Sequence, residues 1–326
     1  MNLLEQAIHR LDKLQQSSRP LAFAYGVIKK FGDDQGGSLA GLITFFGFTS
    51  MFPLLLLVVT IFGSIVGASS SITARVVNSA LSQFPILGSE IANNIHALHR
   101  KDPITLAVGI IGLIFGSQGA SQSSQYAMAQ VWNIPVVERP GYLTRLVRTM
   151  ALVFVLGIFF LLGSALSAFS SFASSRFELR AIALVLSVLV NLALYLLAFR
   201  ILTPKQIETR RLYIGAAVGG IAWTLLQLLG GYLVSHELRN ASQVYGFFAV
   251  VLGLLSWIYL GARILIYSAE INVVAARHLW PRSISGPPWT RADKKVLSAL
   301  SKQQDRLRDE HITVGFDDDK GDGQPT

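Results

Sequence analysis

The chain has 326 residues, of which 52% are hydrophobic and only 14% are charged, with a mean hydropathy of +0.48 and a formal net charge of +9. Soluble domains carry about 25% charged residues. This composition therefore excludes a disordered chain and an ordinary soluble globular protein, and it indicates membrane embedding. The absence of cysteine excludes disulfide frameworks, thiolate metal sites and cysteine nucleophiles.

The leader, residues 1–38, precedes the first long apolar run and mixes apolar and charged residues at helical spacing. A cleavable signal peptide would have a shorter apolar core that lies closer to the first residue. We therefore expect interfacial helices in this leader, lying on the cytoplasmic side of a membrane.

Six apolar runs follow the leader. A membrane-crossing helix needs about 20 apolar residues, because lipid offers no partner to an unpaired backbone group. The runs predict an all-α fold, a polytopic membrane bundle of six transmembrane helices with additional interfacial helices. They lie near residues 39–67, 103–128, 149–169, 181–202, 212–234 and 247–271, within a membrane domain at 39–276.

Two further segments lie outside these runs. Residues 70–100 have apolar side chains at helical spacing, which predicts an amphipathic layer on the outer surface. Within it, His96 and His99 fit an ordinary polar face better than a metal site, because no carboxylate accompanies them at a suitable spacing. Residues 277–326 are basic and then acidic, which predicts a short polar helix followed by a mobile end.

Lysine and arginine lie mainly in the leader, the second and fourth loops and the C-terminal tail. This asymmetry predicts cytoplasmic termini and an even number of membrane crossings. Basic residues beside anionic lipid headgroups also explain the positive net charge. Nucleic acid is not expected as a partner, because no compact basic domain with stacking aromatic side chains is present.

Three passages carry a family resemblance. They are FFGFTSMFPLLLLV with Pro53, AMAQVWNIP with Trp132 and Asn133, and VYGFFAVVLGLLSWIYLGARILIYSAEIN with Tyr245, Gly246 and Trp257. In combination they resemble the YihY/BrkB family of bacterial inner-membrane proteins, some members of which have been named ribonuclease BN. The resemblance covers roughly residues 20–280 and implies an inner-membrane location with a role in handling envelope lipid or lipopolysaccharide. The chain departs from the family where Ser268 replaces a usual glycine and where Arg263 interrupts a commonly apolar stretch.

The last run contains two ionisable residues, Arg263 and Glu270. They are two helical turns apart, so they share one face about 10 Å apart along the axis, and Ser256 and Tyr259 lie close to that face. Such residues are costly in a membrane and are usually functional or paired. Either Arg263 holds an anionic group such as phosphate, with Glu270 orienting it or accepting a proton, or the two form a structural ion pair or reach the hydrated interface.

The polar half of the second run is the other candidate site. Gln118, Gln122 and Gln125 recur at helical spacing, so their amides share one face. These amides bind a lipid headgroup or a sugar, or they form hydrogen bonds between helices. In the first run, Pro53 either kinks or breaks the helix.

No sequence motif for an enzyme is present. There is no phosphate-binding Walker loop, no Gly-x-Ser-x-Gly elbow and no zinc-protease histidine pair. We therefore expect no catalytic residue, no metal site and no cofactor, and the ribonuclease name has no support in these residues.

The preferred hypothesis is a transporter, flippase or exporter of an amphipathic or anionic envelope substrate, such as a lipid, without an ATPase of its own. Its cavity would lie between the amides of the second run and the Arg263 and Glu270 face of the last run. The alternative is a membrane scaffold or regulator that acts through its cytoplasmic tail, and a membrane-bound ribonuclease ranks last. Gly215 and Gly219 permit close helix packing, either within the chain or in a homo-oligomer.

Overall fold

In the computed structural model of the chain, the described residues are 10, 12–66, 103–172, 177–233, 239–284, 286, 289–307, 309, 310 and 312–316. The predicted amphipathic layer at 70–100, including His96 and His99, lies outside these residues. The acidic run at 317–319 also lies outside them.

Helices dominate the described residues, which include no strand, and the predicted all-α class is confirmed. Short 3-10 turns at Val136–Glu138 and Thr209–Leu212 precede α4 and α6. The helices in chain order are α1 (Arg19–Asp33), α2 (Gly36–Val66), α3 (Pro103–Val131), α4 (Tyr142–Phe172), α5 (Phe177–Leu202), α6 (Tyr213–Leu233), α7 (Arg239–Arg277) and α8 (Arg291–Lys302).

Four described segments are long and apolar enough to cross a membrane. They are Tyr142–Gly163, Ala181–Leu202, Thr209–Gly230 and Val251–Arg277. Most of their side chains are not buried within the chain, so the bundle presents an apolar outer surface that suits lipid better than water. Helices α2 and α3 cover the first two predicted runs, and Gly36–Met51 of α2 is apolar. Four of the six predicted crossings thus correspond to described helices of sufficient length and apolar character, and the number six stays a prediction.

The consecutive helices α5, α6 and α7 run antiparallel, as their contacts show. Asn191 of α5 donates a hydrogen bond to Thr224 of α6, and Tyr195, one turn later, contacts the earlier position Gly219. In the same way, Gly215 at the start of α6 contacts Asn272 near the end of α7. One end of the bundle consequently gathers α1, the last turn of α3, the Thr209–Leu212 turn and the last turns of α7, and we call it the α1 end.

Helix α7 occupies the centre of the fold and packs against α1, α2, α3 and α6. Its last turns bury Ile266, Ala269, Val273 and Val274. Because apolar burial is the main stabilising contribution in this region, these turns provide a fixed base on which charged side chains are positioned.

Small residues bring α6 close to its neighbours within one chain. A Cβ atom on Gly215 would lie 2.0 Å from the carbonyl oxygen of Ser268, and one on Gly219 would lie 2.4 Å from the Tyr195 ring. The Gly215 amide also donates a 2.6 Å hydrogen bond to Oδ1 of Asn272. Of the two alternatives for these glycines, the structure shows packing within the chain, and a homo-oligomer stays a prediction.

Helix α2 continues through Pro53, from Gly36 to Val66. The alternative that Pro53 breaks the first apolar run is therefore wrong. Proline is tolerated inside membrane helices when neighbouring groups satisfy the freed carbonyl. A kink at this position stays a prediction.

The first part of the C-terminal tail packs on the bundle. Helix α8 begins with a capping box in which Thr290 and Asp293 exchange hydrogen bonds, and it buries Ala292, Asp293 and Val296. Residues 278–284 and 289–307, here called the C-terminal arm, pack on α1 and on the turn after α3. The polar residues of this arm are partners of charges in the leader rather than a solvated face, and the mobility predicted for the end of the tail stays a prediction.

Candidate functional site

An open groove lies between α2 and α7. Its volume is about 360 Å³, and it opens on the outer surface because Phe45 and Ser256 are exposed. The sequence predicted that the face of the last run with Ser256 and Tyr259 would lie opposite the second run, which is α3. In the structure this face lies opposite α2 instead. The residues that line the groove are Gly41, Thr44, Phe45, Leu255, Ser256 and Tyr259.

Arg263 lies one helical turn beyond Tyr259 on α7. Its guanidinium carbon is 5.7 Å from the centre of the Phe31 ring and 5.8 Å from the centres of the Tyr259 and Tyr267 rings. The Phe31 and Tyr267 rings stack with their centres 3.9 Å apart. These rings hold the cation by cation–π contacts.

Arg263 and Glu270 do not pair with each other. Among the described residues, no carboxylate lies within 4.0 Å of the Arg263 guanidinium, and the ion pair of Glu270 is formed with Lys30. Both side chains contact α1, Arg263 at the Phe31 ring and Glu270 at Lys30. Two helical turns separate them by about 10 Å along α7, so that Arg263 is half-buried beside the groove and Glu270 is fully buried. The structure therefore separates the predicted stripe into a groove side and a buried side.

Glu270 lies in a fully buried charge cluster with residues of the leader. Nζ of Lys30 is 3.8 Å from Oε2 of Glu270, and it donates hydrogen bonds to the Asp34 carboxylate and, at 3.2 Å, to the Val131 carbonyl oxygen. Neither carboxylate oxygen of Glu270 accepts a hydrogen bond from a described residue, and Oδ1 of Asp34 also lacks a donor. We call Lys30, Asp34 and Glu270 the buried triad.

Sequence reasoning missed Lys30 and Asp34, although a signal for Lys30 was present. On α1 the buried residues are Ala22, Gly26, Val27 and Lys30, at steps of four, one and three. This is the spacing of the apolar face of an amphipathic helix, so a lysine in that face is unusual and points to a buried partner. Burial raises the pKa of the Asp34 carboxyl above its ordinary value, although the adjacent Lys30 ammonium acts in the opposite direction.

A second charge cluster joins α1 to the C-terminal arm. Arg282 donates from Nη2 to Oδ2 of Asp33 at 2.7 Å and from Nε to Oδ1 of Asp293 at 2.5 Å. Lys29 donates from Nζ to the same Asp293 oxygen at 3.0 Å. These four residues, here called the arm cluster, bring together two cations and two carboxylates.

Asp293 is the common acceptor of the arm cluster. Its second oxygen, Oδ2, accepts hydrogen bonds from the Ser283 amide at 2.9 Å and from the Thr290 hydroxyl at 2.7 Å. Burial acts to raise the pKa of the Asp293 carboxyl, but the donors, led by Arg282, hold this pKa well below its ordinary value. The cluster therefore keeps an ionised carboxylate in a buried position.

The amides of α3 connect it to α4 rather than to α7. Nε2 of Gln118 donates to the Tyr142 hydroxyl at 3.1 Å, and Nε2 of Gln125 donates to the Arg145 carbonyl oxygen at 3.3 Å. Gln122 is half-buried on the same helix. These contacts favour hydrogen bonds between helices over ligand binding as the role of the amides.

Trp132 and Asn133 follow α3 and contact the end of α7 and the C-terminal arm, respectively. Arg277 donates from Nη2 to the Trp132 carbonyl oxygen at 2.7 Å. Asn133 has a φ of 48°, the left-handed conformation that commonly ends a helix. Its Nδ2 donates to Oε1 of Gln303 at 3.2 Å, so this family-like motif is used for packing the arm.

The remaining motif residues lie along α7. Trp257 packs against α6, where a Cβ atom on Gly230 would lie 2.1 Å from its ring. Tyr245 and Gly246 lie in the second turn of α7. Within the described ranges, no three His, Asp or Glu side chains come together as a metal site requires.

A family model described as "Virulence factor BrkB" matches residues 27–292. The chain is 23% identical over 269 residues to a UPF0761 membrane protein of Psychrobacter sp. (strain PRwf-1), a match that covers 78% of this chain and 49% of that protein. It is 21% identical over 267 residues to a Bacillus subtilis (strain 168) protein named as ribonuclease-like, YfkH, covering 78% and 95% of the two chains. No solved structure matches.

Proposed function

The chain belongs to the BrkB family and is an integral membrane protein, and on this premise we propose that it binds and moves an anionic, amphipathic molecule of the cell envelope, such as a lipid. The chain spans about half the length of the Psychrobacter relative. The proposal therefore rests on the residues of this chain and not on the longer relative. The proposal assigns no catalytic residue, no cofactor, no ATPase and no nucleic-acid partner.

The observation that carries the proposal is the position of Arg263 at the groove. Tyr259 lines the groove and its ring also contacts the Arg263 guanidinium, so the apolar space and the cation are contiguous. No carboxylate of the described residues neutralises this arginine. Because an arginine within a membrane segment is costly unless it has a partner, an anion at the groove would supply the missing charge.

The groove suits a molecule with an apolar part and a charged part. Its volume of about 360 Å³ lies within the range of small-molecule sites, roughly 300–1,000 Å³. The guanidinium group binds phosphate through two parallel hydrogen bonds. An acyl chain would lie between α2 and α7, while a headgroup phosphate would contact Arg263.

The inner-membrane location, six crossings and cytoplasmic termini are part of the same proposal. The α1 end gathers the leader, the arm and the basic 205–212 segment. With α2 starting and α7 ending at this end, the number of crossings between them is even, as six requires. Positively charged segments at one end favour the cytoplasmic side for it.

Lipid transfer in vesicles tests this proposal. The purified protein, reconstituted into vesicles, should move a fluorescent phosphatidylglycerol between leaflets faster than a fluorescent phosphatidylcholine. We expect Arg263→Ala to slow the anionic lipid at least about tenfold, which corresponds to losing an interaction of about 1.4 kcal/mol. Arg210→Ala removes an exposed arginine of the Thr209–Leu212 turn and should have no such effect.

Three results would contradict the proposal. Equal rates for Arg263→Ala and the unmodified protein would remove the role of this arginine, and equal rates for the two lipids would remove the preference for anions. Cleavage of RNA by the purified protein with Mg²⁺ or Mn²⁺ would favour the ribonuclease reading of the Bacillus relative's name.

The scaffold alternative is tested by truncation, but the position of the cut matters. Removal of residues 283–326 would delete Asp293 and leave Arg282 without a buried partner, so this deletion disturbs the fold as well as any recruitment. Removal of 317–326 spares the C-terminal arm. Loss of the cellular role with unchanged lipid transfer after the shorter cut would favour the scaffold.

A further inference from the structure

The buried triad carries an inference that is independent of the groove. The side chains of Glu270, Lys30 and Asp34 are fully buried. An isolated charge is strongly disfavoured in such a buried position. With both carboxylates ionised, two negative charges would face one ammonium group. The triad would then hold an uncompensated negative charge away from water.

The nearby charges do not remove this imbalance. The charged groups that act on Glu270 are Lys30, Asp34 and Asp33, and Asp33 is engaged by Arg282 and adds a further negative charge. Arg277 acts on Asp34 at longer range, but its guanidinium donates to the Trp132 carbonyl oxygen and lies over the Trp132 ring. Among the described residues, no other cation lies within 4.0 Å of either carboxylate of the triad.

Hydrogen bonding distinguishes the two carboxyl groups. The Lys30 ammonium donates directly to Asp34, whereas it is 3.8 Å from Oε2 of Glu270. Both oxygens of Glu270 lack a donor among the described residues. An ionised carboxylate accepts several hydrogen bonds, whereas a protonated one becomes a donor itself. The geometry therefore suits an ionised Asp34 and a protonated Glu270.

We propose that Lys30, Asp34 and Glu270 form a buried proton-binding site, in which Glu270 holds the proton while α1 is packed against α7. The protonated Glu270 donates toward the Asp34 carboxylate, which faces it. The triad is then electrically neutral, with one ammonium, one carboxylate and one carboxylic acid.

Loss of the proton has a structural consequence. An ionised Glu270 would face Asp34 as a like charge, and only water or a separated α1 would relieve the repulsion. Deprotonation therefore favours movement of α1 and its attached arm away from α7. This site requires no substrate at the groove, so its test does not depend on lipid transfer.

Infrared spectroscopy of the complete chain in lipid or mild detergent tests the site. A protonated carboxyl group has a C=O stretching band that an ionised carboxylate lacks. At neutral pH we expect this band in the unmodified protein, and we expect it to move to lower frequency when the glutamate side chains carry ¹³C at the carboxyl carbon. Glu270→Gln should remove the labelled band. Glu208→Gln, which removes an exposed glutamate, should leave it.

The labelled, unmodified protein keeps the test decisive if Glu270→Gln fails to fold. Absence of a protonated-glutamate band at neutral pH would overturn the proposal. A band that is insensitive to glutamate labelling, or that survives in folded Glu270→Gln, would also overturn it. Loss of the band as the pH is raised, with recovery on lowering the pH, would support reversible proton binding.

Discussion

The two charge clusters at the α1 end differ in their balance. The arm cluster has two cations and two carboxylates, and Asp293 accepts hydrogen bonds from four different residues. The buried triad has one cation and two carboxylates, and no described residue donates a hydrogen bond to either oxygen of Glu270. Both clusters connect α1 to another part of the chain, but only the arm cluster has as many cations as carboxylates.

This difference separates two uses of buried charge. A cluster with balanced charge, whose Asp293 accepts hydrogen bonds from four residues, holds two elements together, and removing one member leaves a buried charge behind. An unbalanced cluster needs a ligand to restore neutrality, and a proton is the smallest that does so. We therefore assign a structural role to the arm cluster and a titrating role to the triad.

The largest expected effect comes from Asp293→Asn. This change removes the charge that Arg282 and Lys29 share, and we expect it to lower the free energy of unfolding by about 3 kcal/mol, the cost of breaking a buried ion pair. Titration with a denaturing detergent, followed by circular dichroism, measures this change. Trypsin should also cut the arm at Arg291, Lys294 and Lys295 faster than in the unmodified protein.

The matched control for Asp293→Asn is Glu208→Gln. Glu208 forms exposed ion pairs with Arg210 and Arg211, and such pairs are worth less than about 1 kcal/mol. If both variants lose the same stability, or if the arm of Asp293→Asn resists trypsin as before, the arm cluster does not hold the arm.

Acid should lower the stabilisation that the arm cluster provides. This loss should be gradual, and it should be smaller than the loss caused by Asp293→Asn. The pKa of Asp293 is lower in the folded protein than in the unfolded chain. Its stabilisation is therefore complete above the ordinary aspartate pKa of about 3.9 and is lost as the pH falls from there toward the folded value. The loss should reach at most about 1.4 kcal/mol per pH unit for this one group.

The difference in stability between the unmodified protein and Asp293→Asn isolates that group from the other carboxyls. We expect this difference to shrink as the pH is lowered below about 4. A difference that stays constant down to strongly acidic pH would show that the charge of Asp293 does not stabilise the arm.

Glu270→Gln at neutral pH should change the stability of the protein less than either Asp293→Asn or acid does. Glutamine has the size of a protonated glutamate and can also donate a hydrogen bond toward Asp34, so we expect a change within about 1 kcal/mol. The same detergent titration measures it. A loss of about 3 kcal/mol would instead indicate that Glu270 is ionised and paired with Lys30.

The sequence predicted the helical class and the existence of the long helices, because membrane helices are long and their apolar runs are explicit. It placed Arg263 and Glu270 on one helix, Ser256 and Tyr259 near Arg263, and a polar helix in the tail. These predictions depend only on local spacing. They required no knowledge of which helices are neighbours.

The partners of these residues could not be predicted in the same way. Which helix meets Glu270 depends on long-range packing, and Lys30 is 240 positions away along the chain. The contacts of the arm could not be predicted either, because Asp293 and Arg282 look solvated in isolation and only the fold brings Lys29 and Asp33 to them. The buried position of Lys30 on the apolar face of α1 was the one local signal of this arrangement.

Proton release on unfolding tests the central claim, that one cluster is balanced and the other needs a proton. The protein is transferred at pH 7 from mild detergent into sodium dodecyl sulfate in weakly buffered solution, and the released protons are counted. A glutamate exposed to water is ionised at this pH, so the unmodified protein and Asp293→Asn should each release about one proton more than Glu270→Gln. Equal release from all three proteins would contradict the account.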